Sequence, residues 1–296
     1  MKVLVTGTSG LLGAELLKAI ADRAFSGSGL NRSAFMNANA STRASLLSGY
    51  DVIIHAAANT NVEQCELDPE ACYRDNCFLT EILFRHARKL DVKFVLISST
   101  GVYGRGKSVP YHEYDQVSPT TVHHHSKHIA EKAVLADSSS LVVRTGWLFG
   151  GRMDNPKNFV ANRLNEARKT VQTLHANSTQ TGSPTYARDC AQRLLDLIED
   201  DCSGIYNIVN DQAATRFDYV RQIIELSAAP LEVQPVTASG FKRHADVSEN
   251  ESAVSLRMLF EGRTPLRPWQ DALAEYMRDH SLLGCLGTGV KPGSNN

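Results

Sequence analysis

Short, continuous runs of Val, Ile and Leu alternate with amphipathic stretches through the first half of the chain. The apolar runs fall at Lys2–Thr6, Val52–Ala57, Phe94–Ser98 and Leu141–Arg144. Runs without polar alternation suit parallel strands covered on both faces. Between them, apolar positions recur at helical spacing over Leu12–Ala24, Pro69–Leu90 and His123–Leu135. Strand–helix alternation of this kind predicts a doubly wound α/β fold with a parallel sheet and right-handed crossovers. A further strand is expected at Ser26–Arg32, although SGSGLNR holds two glycines and little apolar content. Past residue 150 the pattern turns helical, at Asn158–Lys169, Tyr186–Asp200, Phe217–Ser227 and Trp269–Asp279, with one clear strand at Gly204–Val209. The expected organisation is an α/β lobe over residues 1–150 and a smaller, mixed, partly helical C-terminal lobe over 151–283, with returns of the chain to the first sheet allowed. A glycine-rich tail, 284–296, is expected to be disordered.

The first apolar run leads into VLVTGTSGLLG, Val3–Gly13, which spaces Gly7, Gly10 and Gly13 three apart between a strand and a helix. Gly7 permits a tight turn and Gly10 lets a pyrophosphate approach the backbone. Gly13 allows close helix–strand packing, and the helix N-terminus offers unpaired N–H groups to an anion. The dinucleotide is therefore expected on Gly7, Thr8, Ser9, Gly10, Leu11, Leu12 and Gly13. A glycine triplet alone is weak evidence; its place between strand and helix is the confirming context. After the second strand stand Asn31 and Arg32 rather than an acid. A basic residue there accommodates a 2′-phosphate, so NADP is favoured over NAD.

With this turn at residue 7, the chain resembles the extended short-chain dehydrogenase/reductase family, on its dTDP-4-dehydrorhamnose reductase-like branch. The likeness runs through VIIHAAANTNVEQCELDPE (Val52–Glu70), FVLISSTGVYG (Phe94–Gly104), LVVRTGWLFG (Leu141–Gly150), GSPTYARDCA (Gly182–Ala191), GIYNIVN (Gly204–Asn210) and LRPWQDAL (Leu266–Leu273). It implies a Rossmann-type cofactor lobe, a substrate lobe and reduction of a keto group on a nucleoside-diphosphate sugar. It also sets Ala56, Ala57 and Ala58 against the cofactor. Ser99 falls where the family hydrogen-bonds the carbonyl, and Lys127 where it holds the nicotinamide ribose. Thr60, Ser99, Thr100, Trp147, Asn158, Phe159 and Gln180 are implied for the substrate.

The family's tyrosine, four residues before the lysine, is His123 here, in VHHHSK. A phenol near pKa ~10 is drawn toward neutrality by an ammonium, whereas an imidazole near ~6.5 is pushed lower. Three readings follow: His123 replaces the tyrosine; Tyr103, Tyr111 or Tyr114 swings in; or the chain is a catalytically weak regulatory or scaffold protein. A nucleotide-sugar epimerase is a further alternative. Gly101 stands where the branch carries an aromatic, leaving a pocket wall missing. Phe241–Leu259 replaces an arginine–proline stretch, with Arg243 and His244 as candidate phosphate contacts.

Composition narrows the class without adding chemistry. The 296 residues are 42% hydrophobic with a formal net charge of −1. That balance disfavours nucleic acid or an anionic membrane as main partner. No run reaches the roughly 18–20 apolar residues that span a bilayer. The opening MKVLVTG reads as a strand rather than a signal peptide. Six cysteines without a C-x-x-C pair read as reduced thiols of a cytoplasmic protein. His124 and His128 lie one helical turn apart, but no third ligand is evident in the sequence, so no metal is expected. The sequence is silent on oligomeric state and leaves a homodimer open.

Overall fold

The computed structural model describes residues 1–170, 172–237 and 243–287. The elements in chain order are β1 (Lys2–Thr6), α1 (Leu11–Asp22), β2 (Ser26–Leu30), α2 (Arg32–Asn37), α3 (Ala40–Leu47), β3 (Val52–His55), α4 (Val62–Leu67), α5 (Pro69–Tyr73), α6 (Leu79–Lys89), β4 (Lys93–Ser99), α7 (Val122–Val134) and β5 (Leu141–Thr145). Then come β6 (Leu148–Phe149), α8 (Phe159–Lys169), β7 (Thr173–Asn177), β8 (Thr181–Gly182), β9 (Thr185–Tyr186), α9 (Ala187–Glu199), β10 (Gly204–Asn207), β11 (Ala214–Thr215), α10 (Arg216–Ser227), β12 (Glu232–Val236), α11 (Leu256–Phe260) and α12 (Trp269–Asp279).

Six parallel strands form one sheet in the order β10-β5-β4-β3-β1-β2. Side chains alternate across it. Val3, Val5, Val52 and Ile54 pack with Leu16 and Ile20 of α1 and Leu194 and Ile198 of α9. Leu4, Ile53, Phe94 and Leu96 pack on the other face with Leu47, Leu83, Phe84 and Val134. Both faces are dry, which is why these strands read as unbroken apolar runs. The strand order reverses between β1 and β3, and the crevice beyond their carboxyl ends is where such sheets take ligands. The register Thr6↔His55 brings Gly7 alongside Ala56 and Ala57. A second core gathers Phe149, Leu164, Tyr186, Tyr219, Trp269 and Tyr276 between α8, α10 and α12.

Several expectations are corrected. The strand expected to reach Arg32 ends at Leu30, because Asn31 caps α2 by accepting from Ala34 N at 2.9 Å. The helix expected across Pro69–Leu90 is interrupted by one π-helical turn, Arg74–Phe78. This turn carries Asn76, wholly buried, toward α7. The strand expected at Gly204–Val209 stops at Asn207, and it extends the first sheet beside β5. The parallel pair β7–β12 had no signal, since β12 is largely solvated and interrupted by Pro235, and β7 buries only Leu174 and Ala176. Residues 284–287 are packed, against the composition: Gly284 and Leu286 donate to Leu226 O and Ser227 O, each at 2.9 Å. The rest of the expected tail, 288–296, lies outside the described residues, as does Phe241. Among the described residues no helix is long and apolar enough to cross a membrane.

Candidate active site

The β1–α1 turn is held from both sides. Gly7 adopts φ +72°, and a Cβ there would lie 2.8 Å from the Ala57 backbone. A Cβ on Gly13 would lie 2.2 Å from Gly7 O, so α1 can seat against the turn only through glycine. No side chain caps α1 at Gly10, which leaves its first-turn N–H groups to a ligand. The turn opens a cavity of about 890 Å³. Every residue expected at the cofactor lines it: Gly7 to Gly13, Asn31, Arg32, Ala56 to Ala58 and Lys127. Asn31 spends its carbonyl on capping α2. Arg32 pairs with Asp75 at the cavity rim, so a 2′-phosphate would compete with that carboxylate.

Midway along the cavity lie Ser99, His123, His124 and Lys127. Ser99 Oγ accepts from Gly101 N at 3.2 Å, which leaves its own proton free to donate. Lys127 is buried, and its Nζ has no partner among the described residues. Burial lowers it to about 8, against the attraction of Glu131. A buried ammonium without an acceptor marks a place for polar ligand atoms, and the ribose hydroxyls of a dinucleotide supply them. His123 is lowered to about 3 by burial and by His124 and Lys127. Its Nδ1 lies 2.9 Å from Asn59 O, a carbonyl that can only accept, so the proton sits on Nδ1. His124 is lowered to about 4, again mainly by burial. Thr121 Oγ1 accepts from His124 N at the helix cap and lies 3.0 Å from His124 Nδ1. A hydroxyl that donates to Nδ1 leaves the proton of neutral His124 on Nε2. This ring fills the space above Gly101, where any Cβ would lie 2.1 Å from Nε2. The wall expected to be missing at Gly101 is thus built by His124.

The far end is formed by Trp147, Gln180, Arg216, Arg243 and Glu251, with Thr60 and Lys157 at the side. Trp147 Nε1 donates to Glu251 at 3.1 Å, and the Arg216 guanidinium lies 3.4 Å from the ring centroid. Burial lowers Arg216 to about 10, partly offset by Glu251, whose own carboxyl burial pushes up. Lys157 donates to Thr60 at 2.7 Å, and Arg243 to Glu63 at 2.8 Å.

Residues 1–282 match the RmlD substrate binding domain family. The chain belongs to that family. It is 29% identical to the spore coat polysaccharide biosynthesis protein SpsK of Bacillus subtilis, covering 95% of this chain and 98% of that one. It is 30% identical to a dTDP-4-dehydrorhamnose reductase of Mycobacterium tuberculosis, covering 92% and 91%. The crystal structure of a dTDP-4-dehydrorhamnose reductase from Clostridium acetobutylicum superposes with a TM-score of 0.89 at 25% identity, over 95% of this chain and all of that one. A Bacillus anthracis reductase in complex with NADP shares the fold, with a TM-score of 0.88 at 23% identity, over 94% and 100%.

Within this RmlD-family chain, not every expected substrate residue reaches the cavity. Thr60, Ser99, Trp147 and Gln180 line it, whereas Thr100, Asn158 and Phe159 do not. Thr100 lies beneath Gly146. Asn158 caps α8 through Ala161 N and donates to the Tyr276 hydroxyl, and Phe159 stacks on Tyr219. The loop tyrosines are also out of reach. Tyr103 is buried, donates to Asn207 at 2.9 Å and stacks on Tyr111, while Tyr114 is exposed outside the cavity. His244 uses its backbone N–H on Glu63 and is not part of the lining. Sequence reasoning missed Asp75, His124, Lys157, Arg216 and Glu251. An arginine at the first position of a helix, as Arg216 is, reads locally as a solvated charge.

Proposed function

We propose that this protein is an NADP-dependent reductase of a keto group on a nucleoside-diphosphate sugar, working in the cytoplasm. The carrying observation is one continuous cavity that joins the glycine turn, the Ser99–His124–Lys127 cluster and the cationic far end. NADPH, when bound, supplies the hydride. The α1 N-terminus and Arg32 hold its phosphates, and Lys127 holds its ribose. Arg216, Lys157 and Arg243 provide local positive potential for the sugar's diphosphate, which the near-neutral chain lacks globally. Trp147, with Arg216 stacked on its ring, forms the wall beside the sugar or base.

At the carbonyl, Ser99 Oγ–H and His124 Nε2–H flank Gly101 and donate to the oxygen as charge builds on it. His123 presents an unprotonated Nε2 and so accepts rather than donates. Lys127 keeps a buried positive charge near the developing alkoxide, and the proton that completes the alcohol comes from this ammonium or from water. In this reading the donor lost with the family's tyrosine is replaced from the next residue along α7.

The test is NADPH consumption over a panel of nucleoside-diphosphate 4-keto-6-deoxy sugars. His124→Phe keeps a ring over Gly101 without a donor, and kcat should fall by roughly 100-fold with KM little changed. Tight NADPH binding with no consumption on any panel member would overturn the reductase reading in favour of a binding-only protein. An unchanged kcat in His124→Phe would remove His124 from the chemistry.

A further inference from the structure

The His123 ring also belongs to a group of soft ligands, of which neither cysteine lines the cavity. Cys65 on α4, Cys72 on α5 and His123 on α7 are all buried, and one ligand atom from each lies within 4.8 Å of the others. Two residues tie the three together. Asn59 O is 3.8 Å from Cys65 Sγ and 2.9 Å from His123 Nδ1. Asn76 Nδ2, on the π-helical turn, is 3.4 Å from both Cys72 Sγ and His123 Nδ1. The Nδ1 edge of the ring is therefore the one that shares its surroundings with the thiols.

We propose that Cys65, Cys72 and His123 bind a single zinc-class divalent cation, with Asn59 O or a water as fourth ligand. Two thiolates and an imidazole are the donor set such a cation prefers, and three protein ligands with one open position make a known kind of zinc site. Zinc–sulfur and zinc–nitrogen bond lengths give tetrahedral edges of roughly 3.3–3.8 Å, so a contraction of about 1 Å closes the set. Binding forms two metal–sulfur bonds and one metal–nitrogen bond. Two thiol protons go to solvent, and nothing is oxidised or reduced. Without a cation, burial holds the Cys65 thiol protonated.

The consequence reaches the cavity. Coordination through Nδ1 displaces the proton given to Asn59 O and leaves the ring's one proton on Nε2. His123 then becomes a donor at the position the family gives to a tyrosine. The site would stitch α4, α5 and α7 together along the wall of the cofactor cavity.

The experiment is a titration of the full chain, reduced and stripped by a chelator, first with Co²⁺ and then with Zn²⁺ against a chromophoric competitor. One equivalent of Co²⁺ should bind with a thiolate-to-cobalt charge-transfer band and tetrahedral d–d absorption. Zn²⁺ should displace it and release two protons per chain. Cys72→Ser and Cys65→Ser should each lose more affinity than the roughly 10–100-fold typical of a supporting residue, and Asn76→Ala should fall within that range. The unaltered protein alone decides the matter if a variant fails to fold. No charge-transfer band at stoichiometric Co²⁺, an unchanged band in the double serine variant, or a Cys65–Cys72 disulfide in place of metal would each overturn the site. NADPH consumption is not the readout, so failure here leaves the reductase reading untouched.

Discussion

Lys127→Met removes the buried ammonium and keeps most of the stem. In the chain without cofactor this charge is a burden: Nζ is enclosed, has no acceptor among the described residues, and is lowered from 10.5 to about 8. A difference of that size corresponds to about 3 kcal/mol at 1.36 kcal/mol per pKa unit. A lowered lysine means that between about pH 8 and 10.5 the unfolded chain binds more protons than the folded one. Stability therefore rises with pH through that window, and the full penalty applies below it. Lys127→Met should accordingly be more stable than the parent at pH 7 by up to about 3 kcal/mol, or roughly 5–10 °C in Tm. The advantage should shrink by pH 10. Saturating NADPH should reverse the order, because ligand binding stabilises the parent through the ribose contact and the variant less. Urea unfolding at pH 7 and 10, with and without NADPH, reads all four values. A variant less stable than the parent at pH 7 without cofactor, with an unaltered fold, would refute the reasoning.

Gly13→Ala places a methyl group against three main-chain atoms, at 2.2, 2.7 and 2.9 Å. It should cost about 1–3 kcal/mol and raise the NADPH dissociation constant at least tenfold; calorimetric titration checks this, and Gly10→Ala, with a single 3.2 Å contact, should be milder. Glu131 accepts two hydrogen bonds from Arg144, at 3.0 and 2.8 Å, and is lowered to about 2. Its contribution is present above pH 4.5 and lost as pH falls toward 2, about 3 kcal/mol in all. Glu131→Gln strands a buried guanidinium and should cost about 3–5 kcal/mol by urea unfolding at pH 7. Arg216→Ala removes the cation over Trp147 and should raise KM for the nucleotide sugar roughly tenfold or more with kcat little altered; a fall in kcat alone would place Arg216 elsewhere in the mechanism.

Local chemistry along the chain was enough for four strands of the sheet and for the glycine turn. Strands buried on both faces advertise themselves as apolar runs, and a phosphate-binding turn needs its glycines at set spacing, so β1, β3, β4, β5 and Gly7 to Gly13 were legible from sequence. Ser99 and Lys127 came from the family resemblance rather than from local chemistry, and both line the cavity. Features that depend on partners far away in the chain were not. The strands β7 and β12 stabilise one another across 50 or more intervening residues and carry little local signal. Thr100, Asn158 and Phe159 match the family's segments, yet helix capping and core packing turn them from the cavity.

The protein's own sequence thus determined that the chain folds around a dinucleotide turn and lacks a phenol at position 123. Only the tertiary structure decided what surrounds that position. Thr121 orients His124, the bare Gly101 makes room for its ring, and Asn59 with Asn76 turns His123 toward two cysteines. Each of these outcomes depends on a hydrogen bond or a space supplied by another segment. A residue's type states which protons it can hold, whereas packing sets which atom holds them and where they point.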